Sequence, residues 1–174
     1  SLEQQARSHY QKGNFSEAAE LFLQASEAYK ASSNPISQAL SLSNLSLCYQ
    51  QLGKWEEANR VITESIALLK SNKNTTTETL SALAQSLDIQ GWLQLAQGKT
   101  DTALQSWKNA AAIYTELNKP KLALISQTKQ AQALQNLGLY RRAIPLLSKA
   151  LNLPQISSEN EKNFFLQLKF VTAS

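Results

Sequence analysis

The chain has 174 residues, a length that fits one domain with a sizeable hydrophobic core. Its composition favours an all-helical fold, because 43% of the residues are hydrophobic while Gly and Pro number only five and four, and a single cysteine excludes an internal disulfide framework. The net charge of +4 comes from scattered Lys and Arg residues, so a nucleic-acid interface is not expected. No apolar run approaches the ~18 residues of a membrane span.

Hydrophobic periodicity predicts helices throughout and no strand. Helix starts carry recognisable signals: Asn34 precedes Pro35 as a capping residue, Asn118 stands similarly before Pro120, and the stretches 75–78 and 158–161 are predicted to be capping boxes. In chain order, the nine predicted helices are 2–12, 15–31, 36–52, 55–71, 76–97, 100–117, 120–137, 140–151 and 159–172.

Four glycines mark an internal repeat, with spacings of 40, 45 and 40 residues: Gly13, Gly53, Gly98 and Gly138. Small residues recur at three fixed distances from each glycine. They are Ala6, Ser46, Gly91 and Ala131 seven before, Ala18, Ala58, Ala103 and Ala143 five after, and Ala25, Ser65, Ala110 and Ala150 twelve after. A large apolar residue follows nine after each glycine: Phe22, Ile62, Trp107 and Leu147.

This pattern predicts four helix–turn–helix units, at residues 2–34, 35–73, 75–118 and 120–155, within one domain. Each glycine is expected to end a first helix with a positive φ, and the small residues let the second helix approach closely. The aromatic residue two positions after most of the glycines (Phe15, Trp55 and Tyr140) is predicted to pack back onto the helix that the chain has just left.

The stretch LSLSNLSLCYQQLGKWEEA (Leu40–Ala58) resembles the tetratricopeptide repeat consensus, on pattern at Asn44, Leu45, Tyr49, Gly53, Trp55 and Ala58. The resemblance covers about residues 2–155 and implies an all-α, right-handed α-solenoid of about four repeats plus a C-terminal helix. The chain departs from the family at Gln94, at Thr100 and in its period, which exceeds the usual ~34 residues. The run from Gly91 onward is also similar to the repeat arrays that precede CHAT (caspase-like) protease domains in cyanobacterial proteins.

In the tetratricopeptide family the first helix of each pair lines a concave, partner-binding groove. The resemblance therefore implies groove positions in all four units: Glu3, Arg7, Tyr10 and Gln11; Ser43, Asn44, Leu47, Gln50 and Gln51; Gln85, Asp88, Trp92 and Leu95; Thr128, Gln132, Gln135 and Asn136. Trp92 is the strongest candidate, either as a groove anchor or as a packing residue between units. Only Asn44 matches the family's carboxylate clamp, so that mode of binding an acidic C-terminus is not expected.

No pattern in the sequence predicts catalysis, a metal site or a cofactor. The only histidine, His9, and the only cysteine, Cys48, have no ligand or dyad spacing, and both are interpreted as packed residues.

We expect a cytoplasmic, non-enzymatic scaffold that binds a protein or peptide in the groove. The alternative is a regulatory or sensory segment of a larger multidomain enzyme, such as a CHAT-type protease, that contacts its own catalytic domain. Because the sequence starts at Ser1 within a helical pattern, it is interpreted as a fragment. The segment 159–172 is expected to be the first helix of a further repeat, with an apolar side that favours self-association.

Overall fold

The structure, a computed structural model, describes the backbone of residues 1–151 and the side chains of residues 1–148. This part of the chain forms eight α-helices and no strand. Their bounds are α1 Leu2–Gln11, α2 Phe15–Ala31, α3 Pro35–Gln51, α4 Trp55–Ser71, α5 Thr77–Ala96, α6 Thr100–Glu116, α7 Pro120–Asn136 and α8 Tyr140–Leu151. Each predicted helix in this range is confirmed to within about a residue at either end. The predicted helix 159–172 and capping box 158–161 lie outside the described residues.

The helices pack as four successive pairs, and each helix contacts the next one along the chain. We call α1, α3, α5 and α7 the first helices, and α2, α4, α6 and α8 the second helices. First helices also meet across the repeats, since α3 packs directly against α5. The described chain is therefore an all-helical repeat fold of the solenoid type.

The glycine of each repeat ends its first helix as predicted, with φ between 69° and 80° at all four positions. The residue after each glycine donates its backbone N–H to the carbonyl five residues earlier, as in Lys54 N to Tyr49 O at 2.9 Å. This is the Schellman arrangement, in which the left-handed residue is most easily glycine. Two of the three turns between repeats in the described chain use the same bond, with Ser33 or Asn118 at φ 54° in place of glycine.

The core lies between neighbouring helices and includes the repeat columns. Among the described residues, every small residue of the three columns and every large apolar residue nine after a glycine is buried. Ser46 and Ala58 show how close the helices come: the Ser46 hydroxyl donates directly to the Ala58 backbone carbonyl at 3.0 Å. A larger side chain at either position would force the two helix axes apart.

The longer second spacing, from Gly53 to Gly98, has a simple structural origin. The connection before α5 spans residues 72–76, two more than the other connections between repeats, and α5 has 20 residues where α3 and α7 have 17. Together these differences account for the five additional residues between Gly53 and Gly98. The predicted longer helix and longer connection are both confirmed.

Two local predictions need correction. The capping residue of α5 is Thr76, whose hydroxyl accepts from Thr79 N at 3.2 Å, so Glu78 does not stand at the third helical position and the predicted capping box at 75–78 does not form. Asn118 does not cap α7, because it occupies the left-handed turn and Lys119 takes the capping position without a side-chain bond. Phe15 packs back onto the helix before it as predicted, with its ring centroid 5.2 Å from that of Tyr10, while Trp55 and Tyr140 are 42% and 46% exposed.

Candidate functional site

The exposed side of the first helices carries most of the residues expected to line a groove. We call this surface the first-helix face and define it by its exposed members: Arg7, Gln11, Gln51, Gln85, Trp92, Gln132 and Asn136. Eight further expected positions are half-buried: Tyr10, Asn44, Leu47, Gln50, Asp88, Leu95, Thr128 and Gln135. On each helix these residues are spaced by three, four or seven, which keeps them on one side.

Two of the expected groove positions serve the packing between repeats. Ser43 is fully buried and cannot reach a ligand, so its assignment to the groove is wrong. Glu3 is half-buried, and its carboxylate accepts hydrogen bonds from Tyr29 Oη at 3.1 Å and from Ser41 Oγ at 3.2 Å. Glu3 thus joins the first three helices together.

These contacts belong to a ladder that runs along the first helices. A residue ten positions before each glycine meets a buried serine twelve positions before the next glycine. The three pairs are Glu3 with Ser41 at 3.2 Å, Ser43 with Ser86 at 2.8 Å, and Asp88 with Ser126 at 2.9 Å. These serines are present in the sequence, but the sequence alone does not distinguish them, because serine is also one of the small residues of the repeat columns.

The middle rung is a buried hydroxyl triad. Ser43 Oγ lies 2.8 Å from both Ser65 Oγ and Ser86 Oγ. Ser65 also donates to Ala39 O at 2.7 Å and Ser86 donates to Ala82 O at 3.0 Å. Because a hydroxyl has only one hydrogen, these two serines are committed as donors to the backbone, and Ser43 must be the donor within the triad. All three hydroxyls are therefore satisfied without water.

Asp88 occupies the third rung and has a mixed environment. Its carboxylate accepts from Ser126 Oγ at 2.9 Å and lies 3.7 Å from Lys129 Nζ. Burial raises the pKa of Asp88 above its ordinary value, and the positive charge of Lys129 and the bond from Ser126 offset only part of that effect. Asp88 thus connects α5 to α7, and little of its side chain is open to solvent.

Trp92 belongs to the same junction, where it packs against a neighbouring helix and stays partly exposed. Its side chain is 41% exposed on the first-helix face. The inner edge packs against Trp107, with ring centroids 5.4 Å apart at 80°, and Lys129 Nζ lies 5.6 Å from the Trp92 ring centroid. The indole is therefore fixed on two sides while part of it stays accessible.

Gly91 makes this arrangement possible. Trp107 is 1% exposed, and its ring lies against the α5 backbone, where its Nε1–H donates to Asp88 O at 3.2 Å. A Cβ atom at position 91 would come within 2.5 Å of Trp107 Nε1, so only glycine leaves room for the ring. Gly91 thus belongs to the packing behind Trp92.

The single cysteine and the single histidine of the chain lie on different helices, α3 and α1. Cys48 is buried, as predicted, and burial raises the pKa of its thiol to about 12, so the nucleophilic thiolate is not available near neutral pH. His9 is half-buried and its Nδ1 lies 3.4 Å from Asn14 Nδ2. Within the part of the chain that the structure describes, no three His, Cys, Asp or Glu residues gather as metal ligands, and no helix is long and apolar enough to cross a membrane.

Comparisons with known proteins agree with this architecture. Residues 1–71 match the family model of the tetratricopeptide repeat. No curated protein sequence matches the chain. Among solved structures, the fold is similar to BtubC (BKLC) from P. vanneervenii, with a TM-score of 0.73, 18% identity, and coverage of 87% of this chain and 61% of that one.

A second similar structure contains nearly identical TPR-like repeats, from a Podosopora anserina protein described as a kinesin light chain. Its TM-score is 0.72 at 22% identity, and the match covers 87% of this chain and 72% of that one. At such identities the likeness concerns the fold alone. The chain also spans less than two thirds of BtubC, at 61% of its length.

Proposed function

We propose that this chain, which carries tetratricopeptide repeats, is a protein–protein interaction scaffold without catalytic activity, and that its first-helix face holds a peptide or a partner domain. Trp92 carries the proposal. Its indole is 41% exposed, yet Trp107 packs edge-on behind it. A large apolar ring that is already fixed in place loses little conformational freedom on binding, which is typical of residues that dominate interface energies.

Amide side chains elsewhere on the first-helix face support the same proposal. Gln51 and Asn136 occupy equivalent positions in their repeats, two residues before the glycine, and Gln132 occupies the position equivalent to Trp92. All three are exposed, and each amide offers both donors and an acceptor. Such a row suits the alternating N–H and C=O groups of an extended peptide backbone.

A pull-down with matched tryptophan variants tests this proposal. Trp92→Ala removes the exposed indole of the first-helix face, whereas Trp55→Ala removes an indole of nearly equal exposure, 42%, from the second helix α4. We expect bound proteins to be retained by wild type and by Trp55→Ala and to be lost from Trp92→Ala. Circular dichroism confirms that each variant is folded, and Trp92→Leu serves as a second variant that keeps apolar contact with Trp107.

The opposite pattern would contradict the proposal. If folded Trp92→Ala and Trp92→Leu both retain every protein that wild type binds, the indole is a packing residue only. If instead Trp55→Ala loses those proteins, the partner surface lies on the second helices.

We further propose that the scaffold acts in the cytoplasm and that its partner lies either on another protein or on a further domain of the same polypeptide, such as a CHAT-type protease. The cytoplasmic location is supported by the fact that tetratricopeptide scaffolds are commonly cytoplasmic, and by Cys48, which is a free and buried thiol. The two sources of partner differ in one measurement: a partner on the same polypeptide competes intramolecularly, so the full-length protein binds added partner domain more weakly than residues 1–174 do.

A further inference from the structure

We propose that Lys129 covers part of the Trp92 indole while Asp88 is ionised, and that uptake of one proton by Asp88 frees the ammonium and uncovers the ring. The inference rests on the proposed function, since it makes the accessible part of Trp92 on the first-helix face depend on pH. It is carried by a closed set of contacts among α5, α6 and α7.

The contacts form a closed ring because Asp88 takes part with its backbone and with its side chain. Its carbonyl oxygen accepts from Trp107 Nε1 at 3.2 Å, and its Oδ2 lies 3.7 Å from Lys129 Nζ. The ring closes through Trp92, whose ring centroid lies 5.4 Å from that of Trp107 and 5.6 Å from Lys129 Nζ. Lys129 therefore contacts the indole and its charged partner at the same time.

The charge of Asp88 is what keeps Lys129 at this position. Only 18% of the Lys129 side chain and 15% of the Asp88 side chain are exposed, so solvent screens their attraction less than at an open surface. Among the described residues, Asp88 is the acidic side chain that pairs with Lys129. Without that charge the ammonium keeps a weak cation–π contact and gains more from full hydration, so we expect it to turn outward.

The contact between α5 and α7 does not depend on this charge. Ser126 Oγ donates to Asp88 Oδ1 at 2.9 Å, whereas Lys129 pairs with Oδ2. A protonated carboxyl group still has an oxygen that accepts, so the bond from Ser126 persists when Oδ2 carries the proton. The change is therefore confined to the Lys129 side chain and the outer face of the indole.

Asp88 is the group at this junction that changes its charge as the pH falls. Burial raises the pKa of Asp88, and Lys129 and the bond from Ser126 offset only part of that effect, so it is protonated at a higher pH than an exposed carboxyl group. Tyr114 of α6 responds to the same carboxylate, but burial and that charge raise its pKa to about 12, so it stays neutral. Helix α3 has no charged residue, and the charged residues of α4 and α6, like Lys121 of α7, are exposed. The pH response of the junction is therefore that of Asp88.

The test is an NMR titration of residues 1–174 from neutral pH downward. Protons that lie over an aromatic ring are shifted upfield, so the ε-protons of Lys129 report its position over Trp92, while the carboxyl carbon of Asp88 reports its ionisation. We expect the Lys129 protons to be upfield at neutral pH and to lose that shift with the same midpoint as the Asp88 carboxyl carbon. Circular dichroism at each pH confirms that the chain stays folded.

Two variants and one internal control sharpen the titration. Asp88→Asn keeps an acceptor oxygen but has no charge, so the Lys129 protons should lack the upfield shift at every pH. Asp101→Asn removes an exposed carboxylate from α6 as the matched control, and it should leave the titration of Lys129 unchanged. Lys54 lies 5.9 Å from the Tyr49 ring centroid without an ion pair of its own among the described residues, so its protons should keep their shift over the same range.

The proposal is overturned if the Lys129 protons are not upfield at neutral pH, if they keep their shift until the protein unfolds, or if they move with a midpoint other than that of Asp88. Retention of the upfield shift in folded Asp88→Asn also overturns it. The titration needs no partner, so its failure is distinguishable from failure of the proposed function in the pull-down. A chain in which Trp92 binds nothing can still show the Lys129 response, and a Trp92-dependent partner can be found where that response is absent.

Discussion

Replacement of Gly91 by alanine should destabilise the protein, although helix propensity alone predicts the reverse. Alanine is favoured over glycine inside a helix by about 1 kcal/mol. Position 91 lies within α5, but an added Cβ would lie 2.5 Å from Trp107 Nε1, 2.6 Å from its Cε2 and 2.9 Å from its Cδ1. Because Trp107 is 1% exposed, its ring has no free space into which to move.

The magnitude follows from the contacts that the shift would disturb. Overpacking a core typically costs about 1–3 kcal/mol, and loss of the bond from Trp107 Nε1 to Asp88 O adds about 1 kcal/mol. After subtraction of the propensity gain, we expect the free energy of unfolding to fall by about 1–3 kcal/mol. For a chain of this length that corresponds to a decrease in Tm of roughly 2–4 °C for each kcal/mol.

The assay is urea and thermal unfolding followed by circular dichroism, with Trp107→Phe as a second substitution. A smaller ring relieves the clash, so Gly91→Ala should cost clearly less in the Trp107→Phe background than in wild type. The reasoning is refuted if Gly91→Ala is as stable as wild type, or if its cost is the same in both backgrounds.

Three further predictions concern single side chains. Cys48 should not react with a thiol reagent at pH 8 until urea unfolds the chain, because burial raises its pKa to about 12; rapid reaction of the native protein would contradict its burial. The pKa of Asp88 is raised in the folded state, so its contribution to stability is greatest below the pKa of the unfolded state and is lost as the pH rises through the pKa of the folded state. Asp88→Asn should therefore unfold at a higher urea concentration than wild type at pH 7, and this difference should shrink below pH ~4. A difference that does not change with pH would contradict this prediction. Ser43→Ala should lower the unfolding free energy by about 1 kcal/mol by removing the donor of the triad, whereas Ser71→Ala, at an exposed serine with a local bond, should change it by less than about 0.5 kcal/mol.

The repeat columns could be predicted from the sequence because each has one dominant physical cause. Gly53 and its equivalents have a left-handed φ that few other residues tolerate, and Ala58 with its equivalents is at 0% exposure because two helices cross there. Such constraints admit few residue types, so they recur visibly at a fixed spacing. The family model's match to residues 1–71 covers two of these glycines, Gly13 and Gly53.

The junctions between first helices could not be predicted in the same way. The residue ten positions before the glycine is Glu3, Ser43 or Asp88 in the three described pairs, and what these side chains share is an oxygen that can meet the next serine. Three different residue types at one position leave no visible column. The role of Trp92 was also open from the sequence, because whether an indole is exposed or packed depends on Trp107 and Lys129, from two other helices.

The central claim, that partners bind the first-helix face, is tested most directly by site-specific photocrosslinking in cells. A photoreactive amino acid is placed at Gln51 or Gln132 on the first helices, or at Gln24 or Gln105 on the second helices, all four being exposed glutamines. We predict partner adducts from Gln132 and Gln51 that disappear when Trp92→Ala is added, and none from Gln24 or Gln105. Adducts that form only from Gln24 or Gln105, or that persist unchanged with Trp92→Ala, would contradict it.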